Sequence, residues 1–314
     1  MKTLTALFFA VFTLVISSFS HAQAKKRFNG KPIEAGLTFG ASNYMGDLSP
    51  SVALGESHLM GGLICRFNYS DFLTFRGNAV FGQISGNDKN YNDDAFRNRR
   101  NLNFKSNIVE FSAIAEWNIF GYEETTRGLP SSPFLFLGLG LYKFNPKSKF
   151  QYLEGRNDAS GVAIHNAQLK VFDNQWIELQ TLSTEAQETT KYNERKRYLL
   201  TQLSIPIGVG FKKQFNDFWA WGIELGMRKT FTDYLDDVSI DFVDDQIVAG
   251  ANGYLAGAMK DRGPELNDPT TGLPYEKFFN GEPRGSMKGK DWYMFLNFTI
   301  TRKIVGGKAV CFQF

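Results

Sequence analysis

Apolar and polar residues alternate with a period of two in eight separate stretches of the chain. In the clearest stretch, residues 109–119, apolar side chains alternate with Glu110, Ser112, Glu116 and Asn118. Successive side chains of a β-strand point to opposite faces, so each stretch predicts a strand with one apolar face and one polar or small face. The predicted strands cover residues 33–41, 59–69, 73–82, 109–119, 135–142, 199–212, 219–228 and 292–301.

The segments that join these strands alternate strictly between short and long. The short ones are 69–71, 120–132 and 214–217, and the long polar ones are 42–58, 84–106, 145–196 and 231–290. Outer-membrane barrels have this asymmetry, with short periplasmic turns and long external loops. We therefore predict an all-β fold: an eight-stranded antiparallel up-and-down transmembrane β-barrel with four long external loops and both termini in the periplasm. A soluble β-sandwich is the alternative, but it gives no reason for the alternation.

The first 24 residues have the pattern of a secretory signal peptide. Lys2 precedes an apolar run from Leu4 to Ile16, and Ala22-Gln23-Ala24 supplies a small-x-small cleavage site. We expect residues 1–24 to be removed and residues 25–314 to form a barrel integral to the bacterial outer membrane, in contact with its lipid.

Composition supports this class and argues against nucleic-acid binding. Lys and Arg total 35 against 32 Asp and Glu, whereas nucleic-acid binding needs a concentrated basic surface. Phe and Gly are both abundant, at 30 residues each. Seven aromatic residues lie near predicted strand ends, where they could form interfacial girdles, with ordinary packing as the alternative: Tyr69, Trp117, Phe120, Tyr122, Trp219, Trp221 and Trp292.

The polar faces of the predicted strands direct charged side chains into the barrel. An eight-stranded barrel is just wide enough for its own side chains, and an isolated buried ion is costly. We therefore expect the inward charges to pair and close the lumen, with an ion path as the alternative. These lumen residues are Glu34, Arg66, Arg76, Glu110, Glu116, Glu224 and Arg228.

The chain has no recognisable catalytic constellation. Its three histidines are His21 in the signal, His58 in the first loop and His165 in the third. Glu56, Ser57 and His58 have the residue types of a hydrolase triad, but three consecutive side chains cannot form that relay. No CxxC or HExxH pattern is present, and we expect neither enzymatic activity nor a cofactor. Cys65 is expected to face lipid, and its pairing with Cys311 stays open.

An acidic cluster opens the fourth loop. Asp233, Asp236 and Asp237 offer hard oxygen ligands that could hold calcium, although their spacing differs from the twelve-residue calcium loop. Pairing with loop bases such as Arg262 and Arg284 explains the cluster as well, and calcium is the less favoured interpretation.

Three segments carry a family resemblance. They are 41–48 after the first strand, 232–239 after the seventh, and 284–285 with 290–295 entering the last. Together they resemble the PorG-like outer-membrane β-barrel family of Bacteroidota, of DUF6089 type, which includes a component of the type IX secretion system and gliding machinery. The resemblance implies a non-enzymatic barrel that anchors or stabilises a periplasmic ring complex. A small passive pore or a general structural barrel is the alternative.

The motif residues also have a physical interpretation of their own. Gly46 and Gly285 allow tight loop turns, and Asp47 can cap backbone N–H groups. Asp236, Asp237 and Arg284 are expected to lock loops one and four together over the barrel mouth. The structural loop-motif residues are Asn43, Tyr44, Gly46, Asp47, Asp236, Asp237, Arg284, Gly285 and Asp291. We expect ring proteins to contact the periplasmic segments 68–71, 120–132, 214–217 and 304–314. Residues 168–191 of the third loop match no family motif.

Overall fold

The computed structural model describes residues 33–91, 93–122, 130–158, 161–286 and 289–304. The predicted signal peptide, Cys311 and the tail after residue 304 lie outside this range, as does most of the segment 120–132. Cys65 is exposed on the outer face.

Eight antiparallel strands close into a barrel, which confirms the predicted fold class. Each strand pairs with its neighbours in the chain, and the first strand pairs with the last, from Ile33 opposite Ile304 to Met45 opposite Trp292. The barrel strands are β1 (Ile33–Met45), β2 (His58–Asn68), β3 (Leu73–Asn87), β4 (Asn103–Asn118), β5 (Ser131–Lys143), β8 (Thr201–Gln214), β9 (Trp219–Thr230) and β10 (Trp292–Ile304).

The four long connections carry the remaining elements. Loop one is 46–57, loop two 88–102, loop three 144–200 and loop four 231–291. Two short strands, β6 (Pro146–Lys149) and β7 (Trp176–Glu178), extend the sheet beyond the barrel next to β4. The helices are α1 (Ala95–Arg100), α2 (Leu179–Leu182), α3 (Asp245–Asn252) and α4 (Tyr254–Lys260). In the part of the chain that the structure describes, no helix has the length and hydropathy needed to cross a bilayer.

The two faces of the barrel wall differ as the alternation predicts. Leu137 and Leu139 of β5 are exposed on the outside, whereas Phe136 and Tyr142 on the other parity are buried. Both ends of the described chain lie at the end of the barrel that carries the short connections. We call this end of the barrel the turn end. The opposite, loop end carries the four long loops.

Several strands run further than the alternation predicts. β3 continues to Asn87 and pairs there with Asn103 of β4, inside a segment predicted to be a loop. Beyond the apolar belt, the outward positions are no longer apolar, so the period of two fades while backbone pairing persists. β1 likewise continues through Asn43 and Tyr44 to Met45.

The main apolar core lies at the loop end. Buried side chains from all four loops pack there against the last residues of the strands, and they include Tyr44, Leu48, Ile84, Phe104, Phe144, Phe150, Leu182, Val243, Met259 and Phe295. The loops therefore form a folded cap over the barrel mouth, which we call the cap.

Candidate functional site: the charged lumen and the cap

Glu116 of β4 is the centre of the charged network in the lumen. Its Oε1 accepts hydrogen bonds from Arg66 Nε at 3.1 Å and lies 3.0 Å from Arg76 Nη1. Its Oε2 accepts from Lys212 Nζ at 2.7 Å. The Glu116 carboxylate is completely buried. Three cations around one carboxylate offset the large cost of burying each charge.

The other lumen carboxylates are also bonded. Glu224 pairs with Arg76 and accepts from Asn297 Nδ2 at 2.9 Å. Glu34 accepts from Asn68 Nδ2 and Thr301 Oγ1, both at 2.9 Å.

A separate ion pair lies nearer the loop end. Arg228 Nε donates to Glu110 Oε2 at 3.3 Å, and the Tyr293 hydroxyl donates to the same oxygen at 2.7 Å. The Arg228 guanidinium also stacks over Phe295, 4.2 Å from the ring centroid.

All seven charged residues assigned to the lumen from the sequence are buried there. The sequence assignment omitted Lys212, although Lys212 shares the inward parity of Ser204, Gly208 and Gly210 on the same strand. With it, the buried set has four acids and four bases: Glu34, Glu110, Glu116 and Glu224 with Arg66, Arg76, Lys212 and Arg228.

Aromatic rings fill the space beside these charges. A Cβ added to Gly208 would lie 2.6 Å from the ring of Phe136, and one added to Gly210 would lie 2.4 Å from the ring of Phe134. The inward glycines of β8 therefore make room for the phenylalanines of β5. Arg76 stacks over Phe136, 4.8 Å from its centroid. Ion pairs and rings together plug the lumen.

Tyr122 does not belong to an interfacial girdle. Its ring is buried, and Lys212 Nζ lies 4.7 Å from the ring centroid. The packing alternative therefore applies to this residue, because the chain after β4 folds back under the lumen instead of outward. Tyr69 and Trp117, by contrast, are about half exposed.

Tyr44 connects two acidic residues at the loop end. Its hydroxyl oxygen lies 2.7 Å from Asp236 Oδ2 and 2.9 Å from Asp291 Oδ1. Asp236 also accepts from the Leu48 amide at 3.1 Å, so β1, loop one and loop four meet at this point. Burial raises the pKa of both carboxyl groups well above their usual range.

Arg284 holds loop three against loop four. Its Nη1 donates to Glu185 Oε1 at 3.1 Å and to the Asp237 carbonyl, and its Nε donates to the Lys260 carbonyl at 3.2 Å. Glu185 in turn accepts from the Ser239 amide at 2.9 Å. Arg284 pairs with Asp237 of the acidic cluster, as the sequence suggested, with Nη2 3.7 Å from Asp237 Oδ2. Its shorter ion pair, at 3.1 Å, is with Glu185 of loop three, which the sequence did not predict.

Asp237 has a left-handed backbone, with φ of 67°, and is fully buried. Its carboxylate accepts from the hydroxyls of Thr184 and Tyr198 in loop three. Burial raises the pKa of Asp237 to about 6.

Loop two joins the cap through Arg100. The Arg100 guanidinium forms a two-pronged ion pair with Asp88, at 2.6 and 2.8 Å, and donates to the Arg284 carbonyl at 2.6 Å. It also donates to the Asp47 carbonyl at 3.1 Å. The Asp47 carboxylate accepts from the Ser286 amide at 3.0 Å, so this residue caps a backbone N–H group of loop four.

The remaining motif residues pack closely around these contacts. Asn43 donates to the Ala53 carbonyl at 2.7 Å and so holds loop one. A Cβ on Gly46 would lie 1.9 Å from Asp291 Oδ1, and one on Gly285 would lie 2.5 Å from Asp47 Oδ2. Gly46 also lies in a tight turn closed by bonds with Ser49. At both glycines, close approach of neighbours rules out a side chain.

The acidic cluster does not converge on a common point. Asp233 bonds to Ser239 at 2.8 Å, while Asp236 and Asp237 face different loops. Burial raises the pKa of Asp233 to about 6. Among the described residues, no group of three or more His, Cys, Asp or Glu side chains is arranged to hold a metal ion.

Sequence reasoning missed Glu185, Tyr198, Arg100 and Asp88. Glu185 lies within 168–191, a stretch rich in Gln, Thr and Glu that carries no strand or helix signal. The backbone around it is unusual, because Ser183, Ala186 and Glu188 all have positive φ. No sequence pattern could place this segment under loop four.

A family model described as "Domain of unknown function (DUF6089)" matches residues 5–165, just over half of the chain. No curated protein matches the chain in sequence.

Ail, the attachment invasion locus protein of Yersinia pestis, is a similar structure at 8% sequence identity and a TM-score of 0.36. The match covers 87% of this chain and 99% of that protein. Neisserial surface protein A is a similar structure at 7% sequence identity and a TM-score of 0.36. The match covers 87% of this chain and 97% of that protein. The outer membrane protein OprG from Pseudomonas aeruginosa is a similar structure at 10% sequence identity and a TM-score of 0.34. The match covers 87% of this chain and 94% of that protein.

Proposed function

The chain belongs to the DUF6089 family, and on this premise we propose that it is a non-enzymatic outer-membrane barrel that anchors a periplasmic ring complex of the type IX secretion apparatus. The loop end faces the exterior, and the turn end with both termini faces the periplasm. The apolar outer face contacts lipid.

The observation that carries this proposal is the plugged lumen. Glu116 and its three cations cross the barrel interior, Phe134 and Phe136 fill the space beside them, and the cap covers the mouth. A barrel of eight strands has no spare width once its own side chains fill it. Such a barrel is suited to a structural role rather than to passage of solutes.

The turn end supports a docking role because backbone hydrogen bonds tie its described connections together and its surface is partly apolar. The Tyr122 amide donates to the Asp71 carbonyl at 2.7 Å, which ties the β4–β5 connection to the β2–β3 turn. The Lys303 amide likewise donates to the Phe218 carbonyl at 2.7 Å. Phe72, Phe215 and Phe218 are each slightly more than half exposed. A pre-ordered surface with exposed aromatic side chains loses little entropy on binding.

Affinity purification of the full chain from outer membranes tests the proposal. Wild-type protein should co-purify with a periplasmic lipoprotein and its ring partner, identified by mass spectrometry. A variant with Phe72→Ser and Phe218→Ser should recover much less of both. Phe279→Ser is the matched control, because Phe279 is exposed at the loop end and should have no effect.

Two results would overturn the proposal. One is recovery of the barrel without any periplasmic ring protein. The other is equal loss of the partners on substitution at the turn end and at Phe279, since docking would then not involve the turn end.

A further inference from the structure

One phenolic hydroxyl at the barrel mouth lies between two buried carboxyl groups. Tyr44 Oη is 2.7 Å from Asp236 Oδ2 and 2.9 Å from Asp291 Oδ1, and all three residues are buried. A phenol has a single hydrogen, so it cannot donate to two carboxylates at once. In one of the two contacts, the hydrogen must therefore come from the carboxyl group, either that of Asp236 or that of Asp291.

The surrounding donors identify which carboxyl group is protonated. Asp236 Oδ1 accepts from the Val238 amide at 3.0 Å, and Asp236 Oδ2 accepts from the Leu48 amide at 3.1 Å. With the Tyr44 hydroxyl, this carboxylate has three donors, which suits its ionised form.

Asp291 has fewer donors. Its Oδ2 accepts from the Leu235 amide at 2.8 Å, while among the hydrogen bonds of the described residues its Oδ1 has the Tyr44 oxygen as its partner. Asp291 Oδ1 is therefore the oxygen that can carry a proton and donate it.

We propose that Asp291, Tyr44 and Asp236 form a proton-binding site, in which the Asp291 carboxyl group donates to Tyr44, Tyr44 donates to ionised Asp236, and the bound proton holds loops one and four together. Gly46 makes the site compact, because a Cβ there would lie 1.9 Å from Asp291 Oδ1 and 2.0 Å from Tyr44 Oη. The site does not depend on a protein partner, so it stands apart from the anchoring role.

The charges around the site favour retention of the proton. The charged and titratable neighbours are Asp47 in loop one, Arg100 in loop two, Tyr198 and Glu185 in loop three, Asp233 and Lys290 in loop four, and Tyr142 on β5. Asp47 and Asp233 disfavour a second negative charge here. Arg100 opposes them, but its guanidinium is already bonded to Asp88.

Water can reach the site from one side. A cleft of about 270 Å³ lies between loops one and four, and its lining includes Gly46, Asp47, Asp233, Lys290 and Asp291. Protons can therefore exchange at Asp291 without unfolding of the cap.

The site makes the cap sensitive to alkaline conditions. Burial and the neighbouring acids raise the pKa of Asp291 and Asp236 above the values of an unfolded chain. A group with a raised folded-state pKa contributes stability that is fully present below the unfolded pKa and is lost as pH rises through the folded pKa. Loss of the proton leaves two carboxylates facing one hydroxyl, and the contact between loops one and four weakens.

Amide hydrogen exchange of the full chain in lipid nanodiscs tests the proposal. The amides of Leu48 and Leu235, both bonded to the site, should be well protected at about pH 5. Their protection factors should fall about tenfold per pH unit until the pH reaches the pKa of the site, and should level off above it. In Asp291→Asn the amide group supplies the hydrogen permanently, so protection should persist and become independent of pH. Asp233→Asn is the matched control. It should keep the pH dependence and move its midpoint to lower pH, because the substitution removes a neighbouring negative charge that raises the pKa of Asp291.

Three outcomes would overturn the proposal. Wild-type protection that does not change between about pH 5 and about pH 10 would exclude a titrating site. Folded Asp291→Asn protein with wild-type pH dependence would exclude Asp291 as the carrier of the proton. If that variant fails to fold, infrared spectra of the wild type decide. At pH values where the Leu48 and Leu235 amides are still protected, the spectra should contain the carbonyl band of a protonated carboxyl group, and absence of the band contradicts the site.

Discussion

At the scale of single residues, Glu116 matters most because three buried cations depend on it. Arg66, Arg76 and Lys212 all lie within 3.1 Å of its carboxylate oxygens, and none of these side chains is exposed to solvent. Removal of one member from a buried ion network leaves its partners uncompensated, which costs more than the intact network contributes.

We expect Glu116→Gln to lower the free energy of unfolding by about 3–5 kcal/mol, because three buried cations lose their shared anion. Urea unfolding of the full chain in detergent micelles, followed by tryptophan fluorescence, measures the loss. The double variant Glu116→Gln with Lys212→Met should recover part of the stability, since it removes one of the uncompensated charges.

The control for this prediction is Glu154→Gln. Glu154 pairs with Lys170 on the surface of loop three, where exposed ion pairs contribute little. Its substitution should leave the unfolding midpoint unchanged. Equal midpoints for Glu116→Gln and wild type would show that the lumen network does not stabilise the barrel.

The residues also show how far the sequence predicts the site. Parity along a strand places Arg66, Glu116 and Arg228 inside, because inward and outward side chains alternate with little exception. Parity does not give the partner of each charge, which depends on strand stagger around the barrel. Lys212 lies on the inward parity too, but a single base beside glycines carries no pattern that marks it as the partner of Glu116.

At the scale of elements, the cap depends on contacts between loops that are distant in the chain. Arg284 of loop four bonds to Glu185 of loop three, and Arg100 of loop two bonds to the Arg284 carbonyl. Loop-to-loop contacts of this kind are set by tertiary packing rather than local propensity, so the sequence predicts the strands well and the cap poorly. The segment 183–188 illustrates this, because its positive φ values at non-glycine residues have no local sequence signal.

We expect Arg284→Ala to make loops three and four much more sensitive to proteolysis, because Glu185 becomes a buried charge without its ion-pair partner. Arg284→Lys should not restore protection, since an ammonium group cannot reproduce the fork that reaches Glu185 and the Lys260 carbonyl together. Limited digestion of the detergent-solubilised full chain with chymotrypsin measures the cleavage rate in each loop.

Lys170→Ala is the control for the digestion, because Lys170 lies on the surface of loop three and makes an exposed ion pair. Its cleavage pattern should match the wild type. Asp236→Ala and Asp237→Ala test the two other predicted lock residues in the same assay. Unchanged cleavage in Arg284→Ala and in both aspartate variants would contradict a structural role for the loop motifs.

At the scale of the whole molecule, the barrel and the cap form two successive barriers along one axis. The plug of ion pairs and phenylalanines fills the lumen, and the apolar core of the cap closes the loop end. The described part of the turn end has exposed aromatic side chains and connections that are tied together by backbone hydrogen bonds. This arrangement supports the proposed anchoring role rather than a channel.

Single-channel recording in planar bilayers tests the sealed lumen most directly. The purified full chain, with insertion verified by heat-modifiable migration on gels, should show no steady current above that of the bare bilayer, because paired buried charges leave no continuous water path. A steady ohmic current from the wild-type protein in independent reconstitutions would contradict the sealed lumen and the anchoring role built on it.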